Sequence, residues 1–217
     1  MADAMTHPVP RLGALDHLGL AARVTADPGA AGLWLGERRF YSKLNLRGDP
    51  NDAGFMNAVG QVLDGFHPRV LPNTAVRMPS FDLLWLGPDE WLVVTPPGSE
   101  AGITARLTAA VSPHGGVVTD VGETRTTIVV TGPAARDALA KGCSLDLHPR
   151  ALGPGECAQS LVARVPVILH RTDGISGQAQ PGEPARFELH VLRSMADYLW
   201  RFLEDAGQEY GVAVVEG

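Results

Sequence analysis

The chain has 217 residues, a formal net charge of −6 and no clustering of Lys and Arg, which argues against nucleic acid and against an anionic membrane surface as partners. Hydrophobic residues make up 45% and charged residues 19%, below the usual ~25%, so the surface is lean in charge, as in a chain covered by partners or one rich in loops. Two cysteines, Cys143 and Cys157, no Cys-x-x-Cys, no signal-like segment and no apolar run near ~20 residues indicate a reducing, cytoplasmic setting.

Residues 1–30, rich in Ala, Gly, Pro and Asp, read as a tail, either free or laid over a partner. In a first half, 31–121, Phe40 to Leu46 reads as a strand. Asp49 and Pro50 then suit a helix start, one as cap and one at the first helical position. Phe55, Met56, Val59, Val62, Leu63 and Phe66 recur at helical spacing. Phe81 to Leu86 and Trp91 to Thr95 flank Gly87-Pro88-Asp89-Glu90, a hairpin signal. A helix from Ser99 carries Ile103, Leu107, Ala110 and Val111, and Val117 to Val121 closes the half.

The second half, 122–217, repeats the order. Thr126 to Val130 is a strand, and Gly132-Pro133 opens a helix with Ala134, Ala138 and Leu139. Leu161 to Leu169 and Phe187 to Leu192 are strands around a Gly-rich loop, Thr172 to Pro184, a docking loop or a plain connection. Ser194 to Asp197 has the form of a capping box. Met195, Tyr198, Leu199, Phe202, Leu203 and Ala206 form the stripe of the next helix, and Tyr210 to Val215 is the last strand. The expected fold is α+β: two split-βαβ, ferredoxin-like units with mainly antiparallel sheets, forming one compact domain.

Chemistry-bearing motifs are few. Gly153-Pro154-Gly155-Glu156-Cys157-Ala158 fits G-x-G-x-x-A loosely, but it precedes a strand, whereas a dinucleotide loop follows one and opens a helix. Gly174-Ile175-Ser176-Gly177 falls one position short of a nucleophile elbow. None of the seven histidines has metal-site spacing, so no metal is expected, although His170 and His190 can approach across paired strands with Cys157 further along the ribbon. Asp120, Glu123 and Arg125 bracket the junction of the halves, as an ion pair or a polar cleft. Along Phe187-Glu188-Leu189-His190, alternation puts Phe187, Leu189 and Val191 on one face and Glu188 and His190, with Arg186, on the other. A carboxylate there suits a pterin ring, a solvated face or an interface.

Four runs carry a resemblance: Leu84-Trp85-Leu86-Gly87-Pro88-Asp89-Glu90-Trp91-Leu92; Thr119-Asp120-Val121-Gly122 through Arg125-Thr126-Thr127 with Gly132-Pro133; Leu139 to Pro149, including Lys141-Gly142-Cys143-Ser144-Leu145-Asp146-Leu147-His148; and Phe187-Glu188-Leu189 with Arg193-Ser194 and Tyr198-Leu199-Trp200. Over roughly 40–211 the chain resembles the gamma-subunit family of heterotetrameric sarcosine oxidases, and more weakly the folate-binding aminomethyltransferases. The resemblance implies a fold like the aminomethyltransferase folate-binding domain and a non-catalytic subunit. Its complex oxidises sarcosine to glycine with hydrogen peroxide and either formaldehyde or methylenetetrahydrofolate. It implies alpha, beta and delta partner subunits, with FAD, FMN, NAD and tetrahydrofolate held outside this chain. Glu188 lies where folate-binding relatives carry a pterin-contacting Glu in a Gly-Phe-Glu run; here Arg186 replaces the Gly. Asp120, Arg125, Asp89, Trp91, Asp146, His148 and Arg193 are structural or interface candidates. Three alternatives stay open. One is the same subunit in a related N-methyl amino-acid oxidase or dehydrogenase. Another is a stand-alone folate-dependent one-carbon transferase using Glu188, Arg125 or Arg193, and Asp120. The third is a ligand-sensing module.

Overall fold

A computed structural model describes residues 11–68, 71–173 and 184–217. The Gly174–Gly177 run, most of the 172–184 loop and the first ten residues of the expected tail lie outside the described residues. The strands are β1 (Leu33–Arg38), β2 (Ser42–Arg47), β3 (Ala75–Arg77), β4 (Asp82–Gly87), β5 (Glu90–Thr95), β6 (Val117–Asp120), β7 (Arg125–Thr131), β8 (Cys157–Val162), β9 (Val165–Arg171), β10 (Arg186–Leu192) and β11 (Val212–Val214). The α-helices are α1 (Leu20–Arg23), α2 (Ala53–Val62), α3 (Glu100–Val111), α4 (Ala135–Ala140) and α5 (Ala196–Gly207).

Among the described residues two sheets form, ordered β3-β4-β5-β2-β6 and β11-β1-β7-β10-β9-β8. In the first, the chain crosses one strand between β2 and β4 and one between β5 and β6, the path of a split-βαβ unit. The second sheet repeats that path from β7 to β11 but takes in two further strands, β1 and β8. All pairings are antiparallel except β1 with β11, where Leu33 faces Val212. Residues 33–38, expected in the first half, therefore belong to the sheet of the second.

Residues 11–30 are not a loose tail. Leu15 is fully buried in the core beneath α4 and α5, and Thr25 donates its backbone N–H to the Val214 carbonyl at 2.8 Å.

Strand alternation sorts the residues into layers. Leu44, Leu46, Leu83, Trp91 and Val93 meet Phe55, Val59, Leu107 and Val111 from α2 and α3. Leu35, Ile128, Val130, Leu169, Phe187, Leu189 and Val191 meet Ala138, Leu139, Leu199, Trp200 and Leu203 from α4 and α5. The inner faces meet through Ala75, Leu84, Leu92, Val94, Cys157 and Ile168. The order is helix, sheet, sheet, helix.

Several local expectations change. The α2 cap is Asp52, which accepts from Gly54 N at 2.7 Å, while Asp49 accepts from Asn51 N in the turn before it. No side-chain cap forms at α5; Asp197 instead accepts from Arg201. The buried α5 face carries Trp200, whereas Met195 and Tyr198 are exposed, a stripe rotated from the one the spacing suggested. The expected strand 161–169 is two strands, β8 and β9, joined at Ala163-Arg164 with φ of 50° and 69°. Paired positive φ values are the hairpin geometry usually signalled by Asn-Gly, a signal absent here. Gly132, with φ +106°, opens the α4 turn against backbone: a Cβ there would sit 2.6 Å from the Gly32 carbonyl oxygen. That helix start packs on the sheet.

Candidate functional site

The most polar region of the interior lies between the two sheets, on the faces opposite the helix-covered cores. On β10, Glu188 and His190 point inward, as the alternation required, with Phe187, Leu189 and Val191 on the other face. His170 stands directly across from Glu188 on β9, and Thr127 across from His190 on β7. Arg38 at the end of β1 pairs in register with the same Thr127. The other sheet contributes Arg77 from β3, Asp82 from β4 and Lys43 from β2.

Four of these charges interlock. Arg77 makes a bidentate pair with Asp82, Nε to Oδ1 at 2.7 Å and NH2 to Oδ2 at 2.8 Å, and its NH2 also donates to Glu188 Oε1 at 2.7 Å. Arg38 NH1 donates to Glu188 Oε2 at 2.5 Å and lies 3.3 Å from Asp82 Oδ2. The Arg38 guanidinium also stacks 3.8 Å over the Tyr41 ring. Two carboxylates and two guanidiniums thus join both sheets, with Glu188 at 0% exposure. Burial alone would push the Glu188 carboxyl up; Arg77 and Arg38 outweigh it and hold it below the usual carboxylate range. Burial works against Arg38 and Arg77 too, but the carboxylates outweigh it and raise both. A recess of about 230 Å³ opens onto Arg38, Arg77 and Asp82, and Glu188 does not line it.

Three bases lie beside this network. Burial lowers Lys43 to about 8; its Nζ donates to the Tyr41 carbonyl at 3.1 Å. Burial lowers His170 to about 4 and His190 well below the usual imidazole value, so both rings are neutral. His190 Nδ1 lies 2.9 Å from the Thr127 hydroxyl. Both ring nitrogens of His170, and His190 Nε2, are buried without a hydrogen-bond partner. Cys157 is directly opposite His170 rather than further along the ribbon, but its thiol is directed to the Thr74 and Trp85 carbonyls, each at 3.4 Å. Burial pushes that thiol up to about 12, which makes it unreactive.

The other candidates are dispersed. Asp120 and Arg125 do not pair: exposed Asp120 accepts from Gly122 N, and Arg125, half-buried at the start of β7, has no ion-pair partner among the described residues. Glu123 pairs instead with Arg11 and Arg193. Trp91 is 1% exposed in the core under α2 and α3, its ring 6.0 Å from that of Phe55, which leaves it unavailable to a partner. Asp89 is exposed beside Arg47 at 3.3 Å. Asp146 accepts from His148 N and His148 Nδ1 from Arg150 N, so both shape one exposed turn. Arg193 is half-buried and donates to Glu123 and to the Leu12 carbonyl. Sequence reasoning singled out Glu188, His170 and His190 but missed Arg38, Arg77, Asp82 and Lys43. The available signal was clearest at Asp82, a charge at the start of the otherwise apolar run Leu83-Leu84-Trp85-Leu86.

Comparison with known proteins places the chain. The sarcosine oxidase, gamma subunit family matches residues 47–209. The sarcosine oxidase subunit gamma of Corynebacterium sp. (strain P-1) is 33% identical over 186 residues, covering 86% of this chain and 89% of the relative. That of an Arthrobacter species is 33% identical over 187 residues, with the same shares. A structure of heterotetrameric sarcosine oxidase from Corynebacterium sp. U-96, in complex with pyrrole 2-carboxylate, contains a similar chain: TM-score 0.77, 26% identity, 94% of this chain and 97% of that one. The aminomethyltransferase T of the Bartonella henselae glycine cleavage system shares the fold at 15% identity and TM-score 0.66, over 93% of this chain and 58% of that one. By length, sequence and fold, the chain belongs to the sarcosine oxidase gamma subunit family.

Proposed function

We propose that this chain is the gamma subunit of a heterotetrameric sarcosine oxidase, and that it supports the assembly rather than carrying out the chemistry. The observation that carries the reading is the full-length correspondence with one chain of a solved heterotetramer. In this reading alpha, beta and delta subunits are its partners. FAD, FMN, NAD and tetrahydrofolate serve those chains. The oxidative demethylation of sarcosine to glycine, with hydrogen peroxide and formaldehyde or methylenetetrahydrofolate, takes place on them.

The non-catalytic role finds support at Glu188. A carboxylate that receives a pterin must lie on an accessible face, and Glu188 is fully buried. Here each oxygen accepts from an arginine, and the recess nearby stops at Arg38, Arg77 and Asp82. Admitting a ring would break two charge-assisted bonds, one within the Glu188 sheet from Arg38 and one between the sheets from Arg77. We therefore assign Glu188 to the ion network and not to a folate contact. Asp89, Asp120, Arg125, Asp146, His148 and Arg193 remain our candidates for subunit contacts. Among the described residues no helix is long and apolar enough to cross a membrane, and cytoplasmic placement is part of the same proposal.

Co-expression with the alpha, beta and delta chains of the same organism tests this. The chain should co-purify with them as a coloured complex that releases peroxide from sarcosine, and should be colourless and inactive alone. Sarcosine oxidation by the isolated chain, or its absence from the purified complex, would overturn the reading.

A further inference from the structure

We propose that His170, His190 and Glu188 form a buried site for one divalent cation of the zinc class. One ligand atom from each lies within 4.8 Å of the other two, and all three residues have no solvent exposure. The sheet itself sets this up. His170 and Glu188 are cross-strand neighbours, and His190 follows Glu188 by two residues on the same face.

The unpartnered nitrogens point to a ligand. Folded chains rarely leave a buried polar atom without a partner, because each costs ~1–3 kcal/mol. Three such atoms lie in this cluster, Nδ1 and Nε2 of His170 and Nε2 of His190; the two on His170 point to opposite sides of its ring, so a cation takes one of them. Their neighbourhood is also prepared in the manner of a metal site. His190 Nδ1 lies 2.9 Å from Thr127 Oγ1; when the ring proton is on Nδ1 that hydroxyl accepts it, and the lone pair is left on Nε2, the tautomer a metal takes. Two imidazoles and one carboxylate are the donor set zinc uses when it keeps a further position open. Each Glu188 oxygen accepts one arginine bond and retains a second lone pair.

Arg38 and Arg77 set the strength of the site. Their charges oppose a cation, and Asp82 offsets only part of that. The site is therefore weaker than the same donors would be without arginines, and selective for a metal that favours imidazole over water. An ordered water is the competing occupant, since it too can satisfy the free nitrogens. This inference does not rest on the proposed place in a complex.

The test uses zinc alone with the full chain, dialysed to remove excess and then crystallised. Diffraction recorded on both sides of the zinc absorption edge should give an anomalous peak ~2.0–2.1 Å from a nitrogen of His170 and of His190. Retention should approach one zinc per chain. Thr127→Val, which keeps the ligands and removes the hydroxyl, should weaken zinc affinity about 10–100-fold. The double change His170→Gln, His190→Gln should abolish retention; if it fails to fold, the wild-type anomalous map decides alone. Electron density without an anomalous signal between the rings, as from water, would overturn the proposal. So would undiminished zinc retention by a folded double variant.

Discussion

Glu188 receives Arg38 from its own sheet and Arg77 from the other, so neutralising it leaves two partly buried guanidiniums sharing Asp82. Removing one member of such a network typically costs 3–5 kcal/mol, because the remaining charges stay desolvated. Glu188→Gln should therefore lower unfolding stability by about 3 kcal/mol, read as a fall in the urea midpoint; an unchanged midpoint would mean the network contributes nothing. Lys43 behaves differently. It is 1% exposed, and its pKa falls from 10.5 to about 8 through burial. Below pH 8 both folded and unfolded chains hold the proton and the full burial penalty applies. Between pH 8 and 10.5 the unfolded chain binds more protons, so this group makes stability rise with pH. The shift corresponds to a penalty of order 3 kcal/mol at pH 7. Lys43→Met should be more stable than wild type at pH 7, with the difference shrinking towards pH 10.5; a destabilised or pH-independent variant would contradict this.

At the scale of elements, the helices α2 and α3 and the β4–β5 hairpin were legible because each has a local cause. Phe55, Val59 and Leu63 repeat at helical spacing, and Pro88-Asp89 makes the turn. β1, β3 and the split between β8 and β9 were not legible. β1 is a strand because β11 and β7 flank it, partners 89 to 179 residues away, from Arg38 with Thr127 to Leu33 with Val212. β3 has three residues, too few for a period to show. Ala163-Arg164 turns the chain without turn residues, and left-handed backbone costs ordinary side chains about 1 kcal/mol or more each. Replacing the pair with Asn-Gly should therefore raise stability by about 1 kcal/mol in thermal or urea unfolding. A loss would show that the two side chains supply contacts that outweigh the backbone strain. The site follows the same division. Glu188 and His190 were visible from alternation within one strand, whereas Arg38, Arg77 and Asp82 join it only through the meeting of β1, β3, β4 and β10.

For the whole molecule, two sheets each carry helices on the outer face and meet through a small apolar patch beside an ion network. The chain shares that frame with an aminomethyltransferase, yet belongs to the sarcosine oxidase gamma subunit family. At Glu188, the carboxylate that the folate resemblance pointed to, both oxygens accept from arginines, and we propose that this closes the position to a pterin. Titration of the purified full chain with tetrahydrofolate, followed by calorimetry and run in parallel with Glu188→Ala, tests that most directly. The account predicts no saturable binding by the wild-type chain and lowered stability as the effect of the substitution. Saturable binding by the wild type that Glu188→Ala abolishes, in a variant that remains folded, would contradict it.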